Sequence, residues 1–250
     1  MEIRRVDVLG VEVSAINMQM AVAAICEWVE DGVLQYVCVT GVHGVMESQS
    51  DPVLRDIHNQ SGLTTPDGMP MVWAGKKAGA HWMSRVYGPD LMLEVLKKAE
   101  EHGWSSYFYG GAPDVPEFLV SRLRGRFPKL AVAGLYSPPF RPLTDEEVAD
   151  VAARINGSGA SLVWVGLSTP KQERWMAQLR PLLEAPVLLG VGAAFDFHAG
   201  RVNQAPRWMQ HYGFEWLYRL SKEPRRLWKR YLTNNPRFVL SILRRWPRLV

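Results

Sequence analysis

Asp67 stands between Pro66 and Gly68, directly after Leu63-Thr64-Thr65. A carboxylate at the end of a short strand can face a cleft and take a proton from a substrate hydroxyl. Pro-Asp-Gly is also an ordinary turn string, and the residues alone leave both readings open. Arg85, two residues before Tyr87, carries the planar fork that suits a diphosphate, or equally a surface ion pair. Gly110-Gly111 lets backbone amides approach a phosphate at a helix N-terminus, or is simply a tight turn. It is neither the dinucleotide fingerprint nor a P-loop. The run Gly166 to Gln172 either delivers Lys171 or Gln172 to a ligand or starts a helix with Pro170 in its first turn. Asp196 and His198 follow the glycine-rich Gly190 to Ala194 run and suit a base or a ribose. A metal site there is disfavoured, because no matching His/Asp/Glu cluster accompanies them. His43, at a strand end, reads as a packed or hydrogen-bonded histidine in preference to a base.

These residues need a scaffold that brings turns together. Arg5 to Val13 alternates like a strand or hairpin bending at Gly10, and Asn17 can cap a helix running to about Glu30. Strands follow at Leu34 to Thr40, Leu63 to Thr65, Ser105 to Tyr109, Leu130 to Ala133, Leu162 to Val165 and Val187 to Leu189. Helical stretches separate them at about 45–60, 89–102, 113–126, 144–157 and 170–179, the fourth opened by a Thr144/Glu147 capping box. Such alternation predicts an α/β fold: a Rossmann-like, mostly parallel sheet with helices on both faces. Ligands bind such sheets outside the carboxyl ends of the strands, where the turns just named lie.

From about Arg207 the character changes. Trp208, Tyr212, Phe214, Trp216, Tyr218, Trp228, Tyr231, Phe238 and Trp246 interleave with basic residues, and Pro224 and Pro236 predict roughly three short helices. The chain has 250 residues and a net charge of +4, yet residues 200–250 hold twelve Lys/Arg against two Asp/Glu. So basic a segment meets an anionic partner: lipid headgroups, nucleic acid or phosphates. The expected organisation is an α/β core over 1–200 and a basic, aromatic helical appendage over 201–250. The longest uncharged apolar stretch, about Pro186 to Phe195, is half of what a spanning helix needs. No signal-peptide pattern follows Met1, and Cys26 and Cys38 read as buried structural thiols. A chain lying on a membrane without crossing it fits these features.

Taken together, the strings resemble the WecG/TagA/CpsF glycosyltransferases. They are Val39-Thr40-Gly41-Val42-His43-Gly44-Val45-Met46, Pro66-Asp67-Gly68-Met69-Pro70 and Arg85-Val86-Tyr87-Gly88-Pro89-Asp90-Leu91. Phe108-Tyr109-Gly110-Gly111, Gly166 to Glu173 and Gly190 to Phe197 follow, and then Glu215-Trp216-Leu217-Tyr218-Arg219-Leu220 with Glu223-Pro224-Arg225-Arg226. The resemblance spans nearly the whole chain, in order. It implies transfer of a sugar from a UDP-sugar to an undecaprenyl-diphosphate-linked sugar, inverting and without a metal or other cofactor. Products of such enzymes feed teichoic acid, capsule or exopolysaccharide. It implies Asp67 as catalytic base with Thr40 beside it, His43, Arg85 and Gln172 lining the pocket with the Gly110-Gly111 turn, and Asp196 on the uracil. It implies that Arg219, Arg225 or Arg226 reaches over the diphosphate while the appendage docks on the inner face of the cell membrane. Many members carry Thr-x-Asn at the first motif. Here Val42 takes the Asn position and His43 follows, a form associated with exopolysaccharide synthesis, which leaves the acceptor open.

The physical requirements agree with that implication. A glycosyl donor needs a nucleotide pocket, positive charge for the leaving diphosphate and a base for the acceptor hydroxyl. No Asp-x-Asp string is present, so arginines and backbone amides must carry the charge. Anionic lipid attracts each nearby Lys/Arg by roughly 1 kcal/mol, and Trp and Tyr favour the interface. The rival reading is a nucleic-acid-binding protein using the basic, aromatic segment, against which stands an α/β body with a pocket such a module does not need. A nicotinamide oxidoreductase lacks its glycine fingerprint here. Self-association is left open by the sequence.

Overall fold

The computed structural model describes residues 3–250. The chain opens with strands β1 (Arg5–Val8) and β2 (Val11–Ser14), helix α1 (Met18–Glu30) and strand β3 (Gln35–Thr40). Helices α2 (Val42–Ser50) and α3 (Pro52–Gln60), strand β4 (Leu63–Pro66), and helices α4 (Met69–Lys77) and α5 (Gly88–His102) follow. Then come β5 (Ser106–Gly110), α6 (Val115–Arg126), β6 (Val132–Tyr136), α7 (Asp145–Gly157), β7 (Leu162–Gly166), α8 (Lys171–Leu179), β8 (Val187–Gly190) and α9 (Ala194–His198). The C-terminal segment forms α10 (Arg207–His211), α11 (Glu215–Lys222), α12 (Pro224–Arg244) and the two-residue strand β9 (Arg248–Leu249).

The expected α/β architecture is present. A six-stranded sheet runs β4-β3-β8-β7-β5-β6, and the pairings from β3 through to β6 are all parallel. The central strands β5 and β7 read Ser-Tyr-Phe-Tyr-Gly and Leu-Val-Trp-Val-Gly and are almost wholly buried. Near-continuous apolar runs are what a parallel sheet flanked by helices demands. The edge strand β6 lies two residues later than its sequence suggested and stays half-buried throughout.

Two compact units divide the residues. One comprises the residues up to Met18, Val39–Tyr87 and Asn203–Val250; the other comprises Gln19–Cys38 and Gly88–Val202. In the first unit the hairpin β1–β2 bends at Leu9-Gly10 and pairs antiparallel with β9. Its valines pack with Val45, Met46, Met71, Met83 and Phe238, so the C-terminal helix α12 contributes to that core. In the second unit, Phe108, Trp164, Leu188 and Leu189 are fully buried, and the Trp164 indole N–H donates to Ser106 Oγ at 3.2 Å. Helix α7 starts on the expected capping box, with Thr144 and Glu147 satisfying each other's backbone amides. Cys38 is buried on β3, whereas Cys26 is only half-buried on α1, and neither forms a disulfide.

Three further features depart from the expectations drawn from sequence. Helix α4 is hidden there because Pro70 and Gly75 interrupt its pattern; Pro70 sits harmlessly in its first turn. Five residues after Ala193 coil into α9 where a turn was expected. Pro236 lies inside α12 instead of ending it. The amide that Pro236 lacks would have met the carbonyl of Leu232, and the Leu232 residue is 59% exposed, so the missing bond falls on a solvent-facing turn.

Candidate active site

Asp67 follows the last residue of β4, and Thr40 is the last residue of β3. Four backbone groups around Asp67 are pinned. Its N–H donates to Thr40 O at 3.0 Å, and Val86 N–H donates to Pro66 O at 2.9 Å. Arg85 Nε donates to the Asp67 carbonyl, and Met71 N–H donates to Gly68 O as α4 begins. Gly41 lies across from the carboxylate: a Cβ there would stand 3.9 Å from Asp67 Oδ2 and 3.8 Å from Gly68 N. The Thr40 side chain is buried, and its hydroxyl has no hydrogen-bond partner among the described residues.

Arg85 is held from several sides at once. Its Nη2 donates to Glu215 Oε2 at 2.5 Å, and its Nη1 lies 3.5 Å from Gln210 Oε1. The guanidinium stacks 4.0 Å over the Tyr87 ring, whose hydroxyl donates to Glu215 Oε1 at 2.9 Å. The Arg85 and Glu215 side chains are 15% and 14% exposed, so little water screens them. Burial works against the charged guanidinium, but the Asp67 and Glu215 carboxylates outweigh it and raise the Arg85 pKa. The Tyr87 pKa rises well beyond the usual phenol range through burial first and Glu215 second, which keeps the hydroxyl a donor.

The other expected residues of this unit lie on α2, α11 and α12. His43, in the first turn of α2, faces Asn234 of α12, with Nδ1 3.2 Å from Asn234 Nδ2 and 3.5 Å from Glu47 Oε1. Arg219 lies one turn after Glu215 on α11. Arg225 is exposed, and Arg226 pairs with Glu223 at 2.5 Å. Arg230, which no sequence motif singles out, joins them. Burial lowers its pKa, and the neighbouring Arg219 and Arg226 charges lower it further, opposed by Tyr231 and Glu47. The guanidinium nevertheless stays charged, so Arg219, Arg226 and Arg230 concentrate positive charge.

In the second unit the strand ends line up. Gly110 pairs with Gly166, and Gly190 is opposite both Val165 and Cys38, which sets three glycines along the carboxyl edge. The Gly111 amide donates to Gly166 O at 3.0 Å, and a Cβ on Gly110 or Gly111 would meet Gly166 or Val115, so the two glycines let β5, β7 and α6 close tightly. Gln172, 3% exposed, donates from Nε2 to Gly190 O at 3.1 Å and to Glu173 Oε1 at 3.1 Å. Its Oε1 is buried without a partner among the described residues and would lie 3.2 Å from a Cβ on Gly192. The fully buried Glu173 also accepts from Thr169 Oγ1 at 2.9 Å, fixing the start of α8. Asp196 is half-buried on α9. His198 is occupied structurally: its Nε2 meets Pro89 O at 2.9 Å, and burial lowers its pKa.

The structure therefore brings Thr40, Asp67 and Arg85 together, places His43 and three appendage arginines in the same unit, and sets Gly110, Gly111 and, through its bond to Gly190, Gln172 of α8 at the carboxyl ends of the strands. Among the described residues no group of three or more His, Cys, Asp or Glu is arranged to hold a metal ion. No helix among them is long and apolar enough to cross a membrane.

Comparison with known proteins bears on what this arrangement does. The family model described as "Glycosyl transferase WecG/TagA/CpsF family" matches residues 6–249. A protein of Bacillus spizizenii named N-acetylglucosaminyldiphosphoundecaprenol N-acetyl-beta-D-mannosaminyltransferase is 32% identical over 198 residues, covering 79% of this chain and 74% of its own. A Bacillus subtilis protein of the same name is 32% identical over 189 residues, covering 76% and 71%.

Proposed function

Because the chain belongs to the WecG/TagA/CpsF family of glycosyltransferases, we propose that it moves a hexosyl group from a UDP-sugar to a polyprenyl-diphosphate-linked sugar, during synthesis of a cell-surface polysaccharide. The names of the two Bacillus relatives make N-acetylmannosamine on the donor and N-acetylglucosaminyl-diphosphoundecaprenol as acceptor the first pair to try. The observation that carries the reading is Asp67: a carboxylate at a strand end, on a backbone pinned by Thr40, Val86 and Arg85.

In this reading Asp67 takes the proton of the acceptor hydroxyl as that oxygen attacks the anomeric carbon. The bond from that carbon to the β-phosphate oxygen breaks, and its electron pair leaves on UDP. One in-line displacement inverts the anomeric centre. Positioned general bases contribute about 10²–10⁴-fold. Thr40 and His43 flank the acceptor. The arginines 219, 225, 226 and 230 carry positive charge for diphosphate oxygens, the task a metal ion performs in many glycosyltransferases. Gln172 and Asp196 take the nucleotide, Asp196 through the uracil edge, beside the Gly110-Gly111 turn.

The exposed apolar residues of the appendage, among them Trp208 at 60% and Leu243 at 69%, accompany its arginines and support docking on an anionic membrane surface at the cytoplasmic face. The test is UDP release from a panel of UDP-sugars, with and without a diphosphate-linked lipid acceptor, in EDTA. Release that requires the acceptor and survives EDTA supports the reading. Release with a donor but no acceptor dependence, or none with any donor, contradicts it.

A further inference from the structure

Arg85 invites two opposite roles. A phosphate ligand should present an unneutralised guanidinium with its donors directed at the ligand. Here Nε is spent on the Asp67 carbonyl, one Nη on Glu215, and the other Nη points at Gln210. Two carboxylates, Asp67 and Glu215, bear on the one guanidinium. In the appendage the excess is positive: Arg219 and Arg226 both act on Arg230, with Glu223 paired to Arg226. Phosphate belongs with that cluster, and Arg85 belongs to the turn that carries the base.

We propose that Glu215 is a positioning residue for Asp67. Glu215 and Tyr87 hold Arg85, and Arg85 holds the Asp67 backbone. The links are continuous: Tyr87 OH to Glu215 Oε1 at 2.9 Å, Arg85 Nη2 to Glu215 Oε2 at 2.5 Å, the ring under the guanidinium at 4.0 Å, and Nε to the Asp67 carbonyl. The two Glu215 oxygens thus serve two different donors, which fixes the carboxylate plane and with it the guanidinium plane. Gln210, buried and tied by its Nε2 to Ala205 O at 2.7 Å, limits the guanidinium on the other side. Helix α11 also carries Arg219 one turn later, on the same face as Glu215. The docked appendage helix therefore completes the base as well as supplying positive charge. This inference rests on the reading of Asp67 as the base.

The experiment uses the full chain with Glu215→Gln, Arg85→Ala, the double variant, and Asp67→Asn for reference. Hydrogen exchange over residues 64–70 is read by mass spectrometry, and kcat and KM for donor and acceptor by UDP release. Glu215→Gln is expected to speed amide exchange in that segment at least fivefold. It is expected to lower kcat at least tenfold with both KM values within threefold of the parent. In the Arg85→Ala background the same change is expected to cost less than twofold more, because Glu215 then has nothing to act through. Unchanged exchange, losses that multiply in the double variant, or a raised KM at constant kcat would each overturn the proposal. Tyr87→Phe removes only the hydroxyl donor and tests the same chain if Glu215→Gln fails to fold. Faster exchange over 64–70 supports the proposal, and parent-like exchange overturns it. Asp67→Asn separates the two claims. If it retains turnover, the base assignment fails, whereas if it is inactive and Glu215→Gln matches the parent, only the positioning role fails.

Discussion

Replacing Gly110 by alanine would put a methyl group where the second unit has no room for one. Gly110 ends β5 at φ +118°, and a Cβ there would stand 2.7 Å from the carbonyl carbon and oxygen of Gly166 and 3.0 Å from its Cα. Those atoms are backbone of the neighbouring strand β7, so no side-chain rotation relieves the overlap. A positive φ costs an L-residue roughly 1–3 kcal/mol, and overpacking against a fixed neighbour costs about 1–3 kcal/mol more. The stiffer unfolded chain returns about 0.4–1 kcal/mol. The net expectation for Gly110→Ala is a loss of about 1–5.6 kcal/mol in urea unfolding, with donor binding weakened as the strand ends separate. Gly125 provides the control. It lies exposed in α6, and a Cβ there would meet nothing within 4 Å, so Gly125→Ala should gain about 0.5–1 kcal/mol. A Gly110→Ala protein within about 0.5 kcal/mol of the parent would refute this account of the turn.

His58 predicts a pH dependence of stability. It is fully buried, its Nδ1 meets Leu54 O at 2.9 Å, and burial lowers its pKa below the ordinary 6.5. The unfolded chain therefore binds the proton more readily. The stability contributed by the neutral ring is complete above about pH 6.5 and is lost as pH falls toward the folded value, at up to about 1.4 kcal/mol per unit. Denaturation curves at pH 7.5 and 5.5 should show this fall, and His58→Asn, though less stable overall, should show a smaller one. His198, lowered in the same direction, adds to the slope that remains. Vesicle pelleting tests the appendage. Binding to vesicles containing anionic lipid should drop sharply between 0.1 and 1 M salt, as the screening length shrinks from about 10 to 3 Å, and binding indifferent to both salt and lipid charge would contradict the docking role.

The α/β alternation was legible because each strand is a short apolar run bounded by turn residues, and α7 because Thr144 and Glu147 signal its start locally. Helix α4 was not, since its signals are weak and Pro70 and Gly75 resemble breakers. Pro236 misled in the same way, because a propensity cannot report that the bond it forfeits falls on an exposed turn. Strand β9 has two residues and exists only through pairing with β1 at the other end of the chain. The site divides along the same line. Asp67, Thr40 and Arg85 stood out as candidates because they sit in turns after strands or in strings shared with a family. Their partners were not, because Gln210 and Glu215 lie 125 and 130 residues beyond Arg85, and Asn234 lies 191 beyond His43. Arg230 was one arginine among many until burial distinguished it.

The assignment of Asp67 as the proton acceptor is tested most directly by Asp67→Asn. Asparagine keeps the shape and leaves the turn's backbone hydrogen bonds in place. Single-turnover transfer to the diphosphate-linked acceptor should fall by about 10²–10⁴-fold, with donor affinity and unfolding free energy close to those of the parent. Transfer within tenfold of the parent rate, with the same folded stability, would contradict the account.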